Sequence, residues 1–148
     1  MTPEARTPEV VSIVSGGLSI LGVHCEFHHD AEDQLVWTVR LIEGGSGRYQ
    51  AVGQLRASGK SSRGNVDVAA GVKLPSELVD KSVETIKDAF PNSYLNHGLY
   101  DMAAAALRTA LGLIASDLRI SAVTPETVMD VLSYAKLQEL RKKAQDER

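Results

Sequence analysis

The sequence predicts an α+β fold in which a four-stranded antiparallel β-meander is followed by two to three α-helices. Between residues 18 and 73 apolar and polar residues alternate in four runs, a period of two that is typical of half-buried strands. After Leu74-Pro75 the apolar residues recur every three or four positions, which indicates amphipathic helices. The change of period therefore divides the chain into a sheet and a helical part.

The four predicted strands are joined by short segments rich in glycine or small polar residues, around 29–33, 44–47 and 58–64. A parallel crossover needs a dozen or more residues, so links of this length require antiparallel neighbours. The first strand illustrates the pattern. Its apolar side is expected to carry Leu21, Val23, Cys25 and Phe27.

The helices are predicted at about 76–90, 97–118 and 125–140. The second has the strongest signal, because its alanine-rich stretch 103–106 has high helix propensity and allows close approach of another backbone. The third is expected to begin at Thr124-Pro125-Glu126, which resembles a capped helix start.

The ends of the chain complete the predicted organisation. Residues 1–9 read as a flexible N-terminal arm, and 141–148 as a charged tail of both signs. The single α+β domain is expected to occupy residues 10–140. Residues 10–16 fit a short helix or a strand, and the Gly16-Gly17 stop favours the helix.

Composition excludes several classes of protein. The 148 residues carry a net charge of −3 and 43% hydrophobic residues, the balance of an ordinary globular domain. No apolar run reaches the roughly 18 residues of a transmembrane helix, and no signal pattern opens the chain, so a cytoplasmic location is expected. The mild acidity and 5% aromatic content argue against a nucleic-acid partner.

No catalytic residue stands out, so the chain is not expected to be an enzyme. The stretch Gly53–Ser61 invites comparison with a phosphate-binding P-loop, but five residues separate its glycines where that loop has four. The strand pattern on both sides favours a hairpin turn. Cys25 lies on an apolar strand face and is interpreted as a small core residue.

Metal-ligand side chains concentrate at His24, Cys25, His28, His29 and Asp30. In a strand, His24 and His28 would lie about 13 Å apart at a rise of about 3.3 Å per residue, too far for one ion. No metal site and no cofactor are therefore predicted. The cluster and His97 leave open a less favoured alternative, a small α+β hydrolase or ligand-binding domain.

Apolar side chains are predicted on both faces of the sheet, with Val36, Ile42 and Val52 opposite the side that carries Trp37 and Leu55. Two or three helices cover only one face. The surplus indicates either self-association or an exposed apolar binding surface.

The order of elements resembles that of the SecB protein-export chaperone family and its shorter SecB-like relatives. Leu99-Tyr100-Asp101-Met102-Ala103-Ala104-Ala105 is similar to the start of that family's long helix, through Leu99, Tyr100 and Ala103. Leu118–Pro125 and the apolar segment 128–132 are placed like the family's following loop, and Leu18–Phe27 resembles its opening strand.

The resemblance implies a holdase chaperone that binds unfolded or preprotein clients through apolar grooves, as a dimer or tetramer and without a cofactor. In that family the acidic surface serves docking to the export motor, or the chaperone protects an antitoxin. An oligomeric structural or adaptor protein, such as a phage or secretion accessory subunit, is the alternative. On apolar character, the candidate polypeptide-binding residues are Trp37, Tyr49, Tyr94, Leu99 and Tyr100. The candidate oligomer interface comprises Ala103, Ala106, Leu107, Ala110 and Ile114.

Overall fold

The computed structural model describes residues 14–28, 32–45, 48–74, 78, 82–114, 116 and 118–147. The chain forms a five-stranded mixed sheet with helices, an α+β fold. Its strands are β1 (Val14–Phe27), β2 (Gln34–Gly45), β3 (Arg48–Ser58), β4 (Ser62–Lys73) and β5 (Thr127–Leu132). The helices bounded within the described residues are α1 (Val83–Ala89), α2 (Tyr94–Leu113) and α3 (Tyr134–Asp146), and a 3-10 turn (Phe90–Asn92) precedes α2.

The strand order is β1-β4-β3-β2-β5, so the predicted meander is wrong in its first step. β2, β3 and β4 are consecutive antiparallel neighbours, whereas β1 pairs antiparallel with β4, in the order of a Greek key. Three strand spacings separate β1 from β2, about 14 Å, and a six-residue link spans up to about 20 Å. A short link therefore required opposite strand directions but did not require adjacency.

The predicted helix over 125–140 is wrong for its first half. Residues Thr127–Leu132 form β5, which pairs parallel with β2 from Trp37↔Thr127 to Ile42↔Leu132. β-Branched residues at 127, 128 and 131 suit a strand, and β2 offers an otherwise open edge. The helix instead begins after Ser133, whose Oγ accepts a hydrogen bond from the Lys136 amide at 3.2 Å.

The other boundaries shift less. β1 begins at Val14, so the helix favoured for 10–16 is wrong from residue 14 onward, while residues 1–13 lie outside the described part. Within the predicted helix 76–90, Leu78 and Val83–Ala89 are helical, while residues 76, 77 and 79–81 lie outside the described part. The predicted helix 97–118 is observed at Tyr94–Leu113. The stretch expected as a charged tail is helical through Asp146.

The core lies between one sheet face and α2, with α1 and the 3-10 turn covering the remainder. Trp37, Tyr100 and Phe90 are its largest fully buried side chains. Gly53 is required beside Trp37, because a Cβ at that position would overlap the indole ring. No buried side-chain nitrogen or oxygen of the described residues lacks a hydrogen-bond partner. Further core residues are Val39, Leu41, Leu55, Val66, Val68, Leu99, Ala103, Leu107 and Leu111.

Candidate polypeptide-binding surface

β1 forms one edge of the sheet and leaves its large apolar side chains accessible. Its pairing with β4 places Leu18 beside Ala70, Ile20 beside Val68 and Val23 beside Val66, on the face that carries the core. Yet Leu18, Ile20, Leu21, Val23 and Phe27 are between 41% and 67% exposed. An exposed apolar edge strand is a template for pairing with another chain.

A bulge in β1 concentrates this apolar surface on one face. From Ile20 to Gly22 the strand advances two residues while β4 advances one, from Val68 to Asp67. Without that bulge, Ile20 and Val23 would point to opposite faces of the pleat, since side chains alternate. The bulge brings both to the core side and leaves Leu21 as the extra, 60% exposed residue.

Helix α2 provides a second apolar strip next to β1. Arg108 donates hydrogen bonds to the carbonyl oxygens of Ile120 and Ser121 at 3.1 and 3.0 Å, so its side of α2 faces the segment that leads to β5. Ala106, Ala110 and Leu113 lie on the opposite flank at about 100° per residue, toward the β1 edge. Ala106 and Ala110 are half-buried, and Leu113 is 85% exposed.

We call this combined area the edge surface. It comprises Leu18, Ile20, Leu21, Val23 and Phe27 of β1 and Ala106, Ala110 and Leu113 of α2.

A charged group lies on the other face of β1, at the same end as Phe27. Arg63 of β4 donates a hydrogen bond to the Glu26 carboxylate, and His24 Nε2 lies 3.4 Å from the other carboxylate oxygen. The Arg63 hydrogen bond, with that of His24, holds the pKa of Glu26 below its ordinary value. These groups join β1 to β4 and leave the apolar face of the strand free of charge.

Cys25 packs inward from the edge surface. It is half-buried beside Gly64, where a Cβ would come within 3.0 Å of Sγ, and burial raises the pKa of the thiol. A raised pKa disfavours the thiolate, so the environment is not that of a nucleophile. The interpretation of Cys25 as a packing residue agrees with this position.

Three of the five candidate polypeptide-binding residues are not on the surface. Trp37, Leu99 and Tyr100 are fully buried, and the Trp37 and Tyr100 rings contact edge to face with centroids 5.6 Å apart. Tyr49 is half-buried and donates to Glu43 Oε2 at 3.2 Å. Tyr94, at the start of α2, is 70% exposed. Large apolar residues in the centre of strands and helices form the core, so apolar character alone could not locate a polypeptide-binding surface.

The candidate oligomer interface divides between core and flank. Ala103 and Leu107 are fully buried against this chain's own sheet, so they are not accessible on its surface. Ala106, Ala110 and Ile114 are half-buried. Leu18, Ile20 and Leu113 were not among the residues that the sequence pattern indicated for a binding surface. The sequence signal that could have indicated this surface is Gly22, because an isolated glycine within a strand pattern often marks a bulge.

The histidines do not gather into a metal-binding cluster in the described part of the chain. No group of three or more His, Cys, Asp or Glu side chains there is placed to hold a metal ion. His29 and Asp30 of the sequence cluster lie outside the described residues. His97 Nδ1 lies 2.7 Å from Thr124 Oγ1, at an open depression of about 400 Å³.

Comparison with known proteins places the chain in a structural class. No family model matches it, and no curated protein matches it significantly. The arrangement of strands and helices is a SecB-like fold. A solved structure similar to it is the SecB-like chaperone Rv1957 of Mycobacterium tuberculosis, in complex with a ChAD peptide from the antitoxin HigA1, Rv1956. The two chains are 11% identical with a TM-score of 0.54, over 76% of this chain and 88% of the other. In the described residues no helix is long and apolar enough to cross a membrane.

Proposed function

We propose that this chain is a non-catalytic polypeptide-binding module, a holdase that binds unfolded or preprotein clients without a cofactor. The edge surface carries the proposal. It combines a 14-residue strand at a sheet edge with a row of accessible apolar side chains, on a fold shared with a chaperone that was solved with a bound peptide. The proposed site of action of this chain is the cytoplasm.

The edge surface suits an extended apolar segment. A client strand laid along β1 would form main-chain hydrogen bonds with its outer edge, and this mode of binding is largely independent of client sequence. Leu18, Ile20 and Val23 would contact alternate client side chains on the core face. Each contact is weak, so affinity depends on several of them being made at once along the length of β1.

Self-association is proposed through the same surface. β1 of a second copy is itself an extended apolar segment, and two α2 flanks with alanines at 106 and 110 allow helices to approach closely. Client and second copy would then compete for one surface. A client should therefore lower the degree of self-association at a given protein concentration.

The decisive test uses suppression of aggregation. A denaturant-unfolded test protein is diluted into buffer with the wild-type chain, with Ile20→Lys or with Ser19→Lys, and light scattering is followed. Ile20 lies on the apolar face of β1, whereas Ser19 pairs with Ala69 and points to the other face of the sheet. The wild type and Ser19→Lys should suppress scattering, and Ile20→Lys should not.

Two results would contradict the proposal. One is a wild-type chain without any effect on scattering, which would favour an oligomeric structural or adaptor role. The other is equal suppression by Ile20→Lys and Ser19→Lys, which would place client binding elsewhere on the chain.

A further inference from the structure

We propose that α3 is a docking helix for an acidic amphipathic helix of another protein. This site is separate from the edge surface and does not depend on the holdase function. Three observations support it: the lack of packing around α3, the spacing of its apolar residues and the sign of its charges.

Helix α3 has little support from its own chain. None of its residues is buried, and Leu137 is its only half-buried residue. Its 13 residues follow the Ser133 cap and end at Asp146. Isolated helices shorter than about 12–15 residues are marginal in water, and helices in proteins gain most of their stability from packing of an apolar face. A packing partner for α3 would therefore stabilise it.

Three apolar residues of α3 form one narrow seam. Leu137, Leu140 and Ala144 are spaced by three and four residues, which is the pattern of a helix that packs along another helix. Leu140 is 45% exposed and Ala144 is exposed, so the seam is accessible. Its length, two turns, fits a helical partner better than an extended strand.

The charges beside the seam select the partner. Lys136 and Lys143 flank it on one side and Arg141 on the other, with no acidic residue in these flanking positions. Two copies of α3 would place these cations against each other, which is unfavourable. A partner with carboxylates along its flanks would meet them with opposite charge.

The basic character of α3 contrasts with the charge of the rest of the chain. Helix α3 carries four basic and two acidic side chains, net +2, so the rest of the chain, at −3 overall, carries −5. The apolar faces of α1 and α2 are buried in this chain's own core, with Ile86 2% and Leu107 0% exposed, so neither of these described helices can pack that face against α3. We therefore assign the partner to a different polypeptide.

The narrow seam argues against a lipid surface as the ligand. Helices that lie in a membrane interface combine a wide apolar face with a basic polar face. Here the seam has two leucines and one alanine, and Glu139 and Asp146 interrupt the polar face.

The test uses two labelled synthetic helices of three heptads. Both have leucine at the core positions, and the flanking positions are all glutamate in one and all lysine in the other. Fluorescence anisotropy with the full chain should give at least about tenfold tighter binding of the glutamate peptide. The variant Lys136→Glu/Arg141→Glu/Lys143→Glu should reverse that preference.

If circular dichroism shows that the triple variant is unfolded, single substitutions test the proposal instead. Leu140→Ser should weaken binding of the glutamate peptide at least about tenfold, and Gln138→Ser, outside the seam, should not. Ile20→Lys should bind the peptide like the wild type, which separates this site from the edge surface. Equal affinity for the two peptides would overturn the proposal. So would α3-dependent binding to phosphatidylserine–phosphatidylcholine vesicles without binding of the glutamate peptide.

Discussion

Trp37 Nε1 donates a hydrogen bond to Asn96 Oδ1 at 2.9 Å in the centre of the core. The Asn96 side-chain amide donates in turn to the Pro91 carbonyl at 3.0 Å and to Thr127 Oγ1 at 2.9 Å. This one amide therefore joins β2, the 3-10 turn, α2 and β5. Its position explains how a buried asparagine is retained among apolar residues, since every polar atom is paired.

Asn96→Ala should lower the free energy of unfolding by about 2 kcal/mol or more, because it leaves the buried Trp37 N–H and the Pro91 carbonyl without partners. Urea denaturation followed by tryptophan fluorescence measures the loss. Asn92→Ala is the matched control, since Asn92 is exposed at the end of the 3-10 turn. Equal midpoints for the two variants would refute the role assigned to Asn96.

Gly53→Ala should destabilise the chain by about 1–3 kcal/mol through overpacking against Trp37. Alanine otherwise suits a strand better than glycine, so the variant is expected to be less stable only because of this contact with Trp37. Gly22→Ala, where a Cβ meets nothing within 4 Å, should be close to neutral. In the double variant Gly53→Ala/Trp37→Phe, the smaller ring should recover part of the stability lost through Gly53→Ala. If the two changes in unfolding free energy were strictly additive in a double-mutant cycle, a contact between the residues at positions 53 and 37 would be excluded.

Leu113→Lys should reduce self-association with little change in stability, because Leu113 is 85% exposed on the α2 flank of the edge surface. Ala105→Lys places the same charge on an exposed position facing away from that flank and serves as the control. Sedimentation at several protein concentrations, with and without an unfolded client, checks both variants. A mass for Leu113→Lys equal to that of Ala105→Lys would remove α2 from the proposed interface.

The Glu26 carboxyl should titrate below its ordinary pKa in the folded protein, because the carboxylate accepts a hydrogen bond from Arg63. A lowered folded pKa means that the carboxylate favours folding above the unfolded pKa, and this contribution is lost as pH falls through the folded pKa. NMR titration of the Glu26 carboxyl carbon in the wild type and in Arg63→Gln measures the effect. The pKa should rise in the variant, and an unchanged midpoint would show that Arg63 is not its cause.

Cys25 should react slowly with iodoacetamide at neutral pH, since burial raises the pKa of its thiol and lowers the thiolate fraction. The reaction rate of Cys25 is compared with that of the glutathione thiol under the same conditions. Leu107→Ala removes a side chain that lies against Gly64 next to Cys25 Sγ, and should speed the reaction. A wild-type rate equal to that of glutathione would contradict the half-buried position of Cys25.

Local patterns predicted much of this fold but little of its candidate site. The alternation around Trp37, Leu55 and Val68 located three strands, and the spacing of Leu99, Ala103 and Leu107 located α2. In contrast, the segment 127–132 was predicted as part of a helix, although its β-branched residues also suit a strand. The open edge of β2 decided between them, and no local pattern contains that information.

The sequence by itself determined the α+β class, the strands β2 to β4 and helix α2, because side-chain periodicity is a local property. Only the tertiary structure decided that β1 pairs with β4, that β5 lies beside β2, and that Trp37, Leu99 and Tyr100 are core rather than surface. Each depends on contacts between residues far apart in the chain. The exposure of Leu18, Ile20 and Val23 likewise depends on a bulge and on how far α2 extends across the sheet.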